Sequence, residues 1–246
     1  MNKIKCTIQY DGTNFSGFQV QPKGRTVQGE IERALKKMHK GNHIRIQPSG
    51  RTDKGVHAVG QVIHFDTPFE LEVSGWKQAL NAMLPNDLYV KKVAYMPADF
   101  HCRYDAVEKE YRYVIDRSRE PNVFKQNYAH HFPYELDVET IKEACTYLEG
   151  KHDFTSFSSA KDTSKGSKVR TLYEVSFVEK GKELIFTFRG DGYLYNMVRI
   201  MVGTLLDIGQ GRREAAEIKE LFSKGDRRLA SATAPAEGLY LWEVIY

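Results

Sequence analysis

The two halves of this chain carry the same order of strand and helix signals, and that repetition leaves few folds open. In the first half Ile4, Cys6, Ile8 and Tyr10 alternate as a half-buried strand does, and Asp11-Gly12 ends the run. Thr26 is an N-cap by residue type, and Val27, Ile31, Ala34, Leu35 and Met38 then recur at helical spacing until Gly41. Strand-like runs follow over residues 44–49 and 60–66. Ser74 is expected to cap a second helix carrying Trp76, Leu80 and Met83 and ending at Pro85; residues 88–95 close the half as a strand.

The second half repeats the order. Tyr111, Tyr113 and Ile115 alternate along a strand over 110–116, and residues 138–148 make a helix with Ile141, Ala144, Cys145 and Leu148 on one side. Residues 171–178 and 184–189 form a hairpin joined through Glu179-Lys180-Gly181-Lys182. A strongly apolar helix is expected over 195–208, an extra helix over 213–222, and a last strand over 239–245. Stated twice, β-α-β-β-α-β is the split βαβ, or ferredoxin-like, arrangement. The expected fold class is therefore α+β: two ferredoxin-like domains, residues 1–104 and 105–246, with mainly antiparallel sheets flanking a central active-site cleft. Two such domains suit a length of 246 residues.

Several function classes lose support. No stretch offers the ~20 apolar residues of a membrane span, and residues 1–10 hold no apolar segment of signal-peptide length, so no membrane partner is expected. Cys6, Cys102 and Cys145 are far apart, which points to a reducing cytoplasm, with neither a disulfide framework nor a cysteine metal site. There is no phosphate-binding P-loop, no metalloprotease histidine pair and no Gly-x-Ser-x-Gly elbow; His130-His131 reads as a surface or packing feature. An enzyme of this kind is expected to work with side chains alone, without metal or organic cofactor.

The charge distribution favours nucleic acid. The net charge is only +4, but the cations cluster: Lys36, Lys37 and Lys40 at the end of the first helix, Lys161, Lys165, Lys168 and Arg170 in a polar loop, and Arg212, Arg213, Arg227 and Arg228 around the extra helix. Each cluster by itself is ordinarily a solvated face. With 14 tyrosines and 13 phenylalanines, together they suit a surface that neutralises phosphates and stacks on bases.

The sharpest chemical signal is Gly50-Arg51-Thr52-Asp53-Lys54-Gly55-Val56-His57-Ala58, a loop between two strands. A carboxylate among cations stays ionised, and an ionised carboxylate serves as nucleophile or base. Asp-Lys-Gly is also ordinary turn chemistry, so the loop alone does not decide between a turn and a site.

The wider set of motifs does. Tyr10-Asp11-Gly12-Thr13 with Phe15, Gly17, Phe18, Gln19 and Gln21, the Asp53 loop with Gly60-Gln61-Val62, Asp99-Phe100-His101-Cys102-Arg103 and Lys109-Glu110-Tyr111-Arg112-Tyr113 occur in that order. Tyr195-Asn196-Met197-Val198-Arg199 with Gly203, then Thr233-Ala234-Pro235 with Gly238-Leu239, complete the series. Over essentially its whole length the chain resembles the tRNA pseudouridine synthase A family. Cys102 stands where that family more often has Ala, and Phe18 where Trp is frequent; neither occupies a charged position.

The resemblance implies a cofactor-independent isomerase acting as a cytoplasmic homodimer on tRNA, converting uridine to pseudouridine at positions 38, 39 and 40 of the anticodon stem-loop. It implies that Asp53 is the catalytic carboxylate, whether by attack on the sugar, attack on the base or removal of a sugar proton. Tyr111 matches the tyrosine that stacks on the extruded base, although its alternation with Tyr113 equally suits a core tyrosine. Arg199 matches the family's basic residue. Set among Val198, Ile200 and Met201, its guanidinium is costly unless paired, and Asp53 is the expected partner. Arg51 is expected to contact the RNA backbone. Lys54, His57, His101 and Arg103 either touch phosphates or order their own loops, and Asp11 and Asn14 either support the site or make a turn.

Two other readings fit parts of the pattern. A non-catalytic RNA-binding module shares the doubled fold but leaves Asp53 without a task, and the chain lacks the aromatic ribonucleoprotein segment. A hydrolase of N-glycosidic bonds would use a similar carboxylate and stacking platform, but leaves an abasic product.

Overall fold

A computed structural model of the chain describes residues 1–160 and 166–246; Lys161 and Lys165 of the polar-loop cluster lie outside the described residues. Two compact units result, Met1–Val107 together with Tyr240–Tyr246, and Glu108–Leu239. Both are α+β, and most of their strand pairings are antiparallel.

In chain order the first unit holds β1 (Asn2–Tyr10), α1 (Val27–Met38), β2 (Gln47–Pro48), β3 (His57–Thr67), α2 (Val73–Asn81) and β4 (Leu88–Met96). β1 is central and antiparallel to both β3 and β4, with Cys6 opposite Ile63 on one side and Val93 on the other. Its alternation places Ile4, Cys6 and Ile8 in the core, where α1 contributes Val27, Ile31 and Leu35 and α2 contributes Trp76 and Leu80. Thr26 caps α1 as its type suggests, its hydroxyl accepting from Gly29 N at 3.2 Å. The last strand, Leu239–Ile245, also belongs largely here: Tyr240 and Leu241 pair in parallel with His57 and Ala58 of β3. The sequence pattern placed that strand in the second half because a pattern of alternation does not name its partner.

Two local expectations need correction. Glu72, not Ser74, occupies the N-cap of α2, without a side-chain bond, and the helix ends at Asn81 rather than running on to Pro85. There the Asn81 side chain bonds both backbone groups of Val90, and Met83 is left exposed. The strand expected over 44–49 shrinks to β2, because Ile46 N is taken by Glu32 Oε1 at 3.1 Å and Pro48 has no N–H to donate.

The second unit holds β5 (Glu108–Asp116), β6 (His130–His131), α3 (Val138–Leu148), β7 (Gly150–Asp153), β8 (Val169–Lys180), β9 (Glu183–Gly190), α4 (Met197–Gly209) and α5 (Glu217–Lys224). Its sheet runs β5-β9-β8-β7, all antiparallel, with β6 beside β5 in parallel. Asp137 caps α3 by accepting from Glu139 N and Thr140 N. α4 is buried on most sides through Met197, Ile200, Met201, Leu205 and Ile208, as its apolar run requires. The extra helix α5 starts at Glu217 rather than Arg213, since Arg213 is drawn to the Glu217 carboxylate and the Leu229 carbonyl. Among the described residues no helix is long and apolar enough to cross a membrane.

Candidate active site

The Asp53 loop leaves β2 and enters β3, and its neighbours in the first unit hold it at several points. Thr52 is buried, Asp53 is half-buried, and Arg51 and Lys54 on either side are exposed. Tyr10, at the end of β1, places its hydroxyl 2.7 Å from Thr52 Oγ1 in the interior. Burial pushes the Tyr10 phenol up to about 12, against hydrogen bonds from Thr52 and Gln61, so it keeps its proton at neutral pH. The Thr52 carbonyl accepts from Phe18 N at 3.0 Å. Gln61, fully buried on β3, donates through Nε2 to the Gly50 carbonyl at 2.8 Å, while its Oε1 accepts from Ser49 Oγ and Val62 N. Within the loop, Val56 N closes a turn onto the Asp53 carbonyl at 3.1 Å.

Gly12 presses directly on this loop. A Cβ at that position would lie 2.1 Å from the Val56 carbonyl oxygen, so only glycine permits the approach. Its N–H donates to His57 Nδ1 at 3.0 Å. His57 is only 2 % exposed, stacks on Tyr240 at 4.8 Å and lies 3.3 Å from Asp11 Oδ1. Of the two roles open to His57, this placement supports loop ordering. Asp11 also accepts from Thr13 N and Thr13 Oγ1, which makes its segment a built turn.

Further along the first unit, the His101 ring meets His64 at 4.9 Å and Tyr104 at 4.3 Å, and the Arg103 guanidinium lies 5.8 Å from the Tyr104 ring. His101 N donates to Asp105 Oδ2, and Arg103 N to His101 Nδ1, so the segment is internally ordered while Arg103 and Tyr104 face solvent.

In the second unit, Tyr111 lies on β5 opposite Phe188 of β9, its ring edge-on to Tyr193 at 4.9 Å. Two residues on, Tyr113 is wholly buried and donates its hydroxyl to the Pro235 carbonyl at 2.8 Å. Both tyrosines of the alternating pair are buried, Tyr113 at 0 % and Tyr111 at 8 % exposure. Arg199 is half-buried on α4. Its Nε donates to the Ala234 carbonyl at 2.7 Å and its Nη1 to Asn196 Oδ1 at 3.1 Å. Asn196 sits in the left-handed region at φ +61°, a conformation asparagine tolerates better than most residues.

The bracing residues Tyr10, Gln61, Asn196 and Ala234 stood inside recognisable motifs, yet nothing in their spacing announced these contacts. The basic clusters resolve unevenly. Lys36, Lys37 and Lys40 are exposed, while Arg212, Arg213 and Arg228 pair with Asp207, Glu217 and Asp226. Among the described residues no group of three or more His, Cys, Asp or Glu side chains is placed to hold a metal ion.

Chemically, the first unit offers a carboxylate on a braced loop between exposed cations, and the second offers a phenol ring and a tethered guanidinium. The sequence profile of the tRNA pseudouridine synthase family matches residues 7–105 and 144–246. The chain is 56% identical over 246 residues to tRNA pseudouridine synthase A of Oceanobacillus iheyensis, covering 100% of this chain and 97% of that one. It is 53% identical to tRNA pseudouridine synthase A 1 of Bacillus cereus, covering 100% and 99%. It is 56% identical over 244 residues to tRNA pseudouridine synthase A of Geobacillus kaustophilus, covering 99% and 94%.

Proposed function

The chain belongs to the tRNA pseudouridine synthase family, and on that premise we propose that it isomerises uridine to pseudouridine in tRNA, at positions 38, 39 and 40 of the anticodon stem-loop, with Asp53 as the catalytic carboxylate. In this reaction the bond from C1′ to N1 of uracil breaks, a bond from C1′ to C5 forms, C5 loses its proton and N1 gains one. Substrate and product are isomers, so no oxidant, reductant or co-reactant enters.

The observation that supports the reading best is the state of the Asp53 loop. Its backbone is braced from the interior at Gly50, Thr52 and Val56, yet Asp53 itself is half-buried beside exposed Arg51 and Lys54. Holding one oxygen close to a glycosidic carbon is a demand of positioning, and rigid support meets it. Whether the carboxylate attacks the sugar, attacks the base or removes a proton, it must be ionised and fixed.

We assign the stacking platform to Tyr111. Taking a base out of its stack costs a few kcal/mol, and an aromatic ring replaces part of that stacking. Arg199 is assigned as the cationic partner of the carboxylate, with its fork oriented by Ala234 and Asn196. Arg51 and Lys54 are the cations for the neighbouring phosphates, with Arg103 and His101 as further RNA contacts. The reading takes the active form to be a cytoplasmic homodimer.

The test is to incubate the protein with an unmodified tRNA transcript and map every altered uridine. Pseudouridine at positions 38 to 40 is expected. Abasic sites in place of isomerised bases would favour a hydrolase, and bound but unaltered tRNA would favour a binding module.

A further inference from the structure

Beneath the Asp53 loop lies the buried polar chain that braces it. Tyr10 and Gln61 are 4 % and 0 % exposed, Ser49 is 0 % exposed and Thr52 is 7 % exposed. Ser49 Oγ donates to Gln61 Oε1 at 2.7 Å, Gln61 Nε2 donates to the Gly50 carbonyl at 2.8 Å, and the Tyr10 hydroxyl lies 2.7 Å from Thr52 Oγ1. The chain therefore grips Gly50 and Thr52, the residues flanking Arg51 and the one directly preceding Asp53. Polar groups in the interior are retained at a cost unless fully bonded, and a satisfied network holds one geometry more firmly than apolar packing does.

We propose that Tyr10 is a positioning residue for the isomerisation, acting through Thr52 to fix the direction of the Asp53 carboxylate, with Gln61 holding the loop at Gly50. The inference rests on the reading of Asp53 as the catalytic carboxylate. The Tyr10 ring meets Phe15 edge-on at 6.2 Å and Phe18 at 6.4 Å, packing that a phenylalanine would keep, so the hydroxyl is separable from it. The phenol stays protonated at neutral pH, so the interaction with Thr52 is a hydrogen bond between neutral groups.

Tyr10→Phe, Thr52→Val, the double variant, Thr52→Ser and Asp53→Asn are compared in single-turnover and steady-state assays on a tRNA transcript. Tyr10→Phe is expected to lower kcat roughly tenfold, the scale of one buried hydrogen bond, while KM and tRNA affinity stay within about twofold. Thr52→Val should match it, the double variant should be no worse than either single one, and Thr52→Ser should restore most of the rate. Full kcat in Tyr10→Phe, a defect confined to KM, or losses that multiply in the double variant would each overturn the proposal. Asp53→Asn separates the two levels. An inert Asp53→Asn beside a fully active Tyr10→Phe ends the positioning role alone, whereas normal turnover by Asp53→Asn ends both.

Discussion

Replacing Gly12 by alanine should disable the enzyme through a single methyl group pressed against the Asp53 loop. The added Cβ would lie 2.1 Å from the Val56 carbonyl oxygen and 2.5 Å from its carbon, and 3.0 Å from the carbonyl carbon of Gly55. These are backbone atoms of the Asp53 loop, so no side-chain rotation relieves the clash. An ordinary van der Waals separation requires the loop and the Gly12 segment to move apart by about 1 Å, and a displacement of that size at a catalytic group costs roughly a hundredfold in rate. That is about 2.7 kcal/mol of transition-state stabilisation, alongside an overpacking cost of about 1–3 kcal/mol in stability. The control is Gly41→Ala. Gly41 has φ +97° with nothing within 4 Å of its would-be Cβ, so alanine there strains the backbone by about 1 kcal/mol or more without moving the loop. Formation of pseudouridine expels the C5 hydrogen, so release of tritium from transcripts carrying C5-tritiated uridine reports the rate directly. Gly12→Ala should lose about two orders of magnitude in kcat/KM at a temperature where both variants are folded, and Gly41→Ala should stay near wild type. Equal rates in the two variants would refute the claim that Gly12 sets the loop.

Two further outcomes follow from the geometry. Burial, aided by His101 and Lys3 and opposed by Asp66 and Asp105, pushes His64 down to about 4; its Nδ1 accepts from Cys102 N. The native state thus holds His64 neutral while the unfolded chain protonates it near 6.5, so its contribution is complete above that pH and falls away as pH drops towards 4. The loss is at most about 1.4 kcal/mol per pH unit. Urea unfolding at several pH values should show wild type weakening between pH 6.5 and 4 more steeply than His64→Gln; parallel curves would contradict a neutral buried His64. Affinity for tRNA should fall steeply with salt, and replacing Lys36, Lys37 and Lys40 by glutamine should reduce the slope by about one for each phosphate that is no longer neutralised. An unchanged slope would remove that cluster from the RNA surface.

Much of the fold was legible because its signals are local. The alternation of Ile4, Cys6, Ile8 and Tyr10 and the helical spacing from Val27 to Met38 report burial directly. What depended on distant partners was less readable. β2 is short because a glutamate of α1 takes the Ile46 amide, and α2 ends where Asn81 finds the backbone of Val90. The parallel pairing of the last strand with β3 has no signature in either segment. Among the candidate residues, Asp53, Tyr111 and Arg199 were singled out by residue type and motif. Their braces were not, since a tyrosine ending one strand and a glutamine within another carry no sign of the loop they hold between them.

The central claim is that Asp53 performs the chemistry and is not merely a turn residue. Its most direct test is Asp53→Asn, which keeps size and hydrogen-bonding shape but removes the charge. Assayed by single turnover on an unmodified transcript, with tRNA affinity measured in parallel, this variant should bind like wild type and form no pseudouridine. Wild-type turnover by Asp53→Asn would contradict the account.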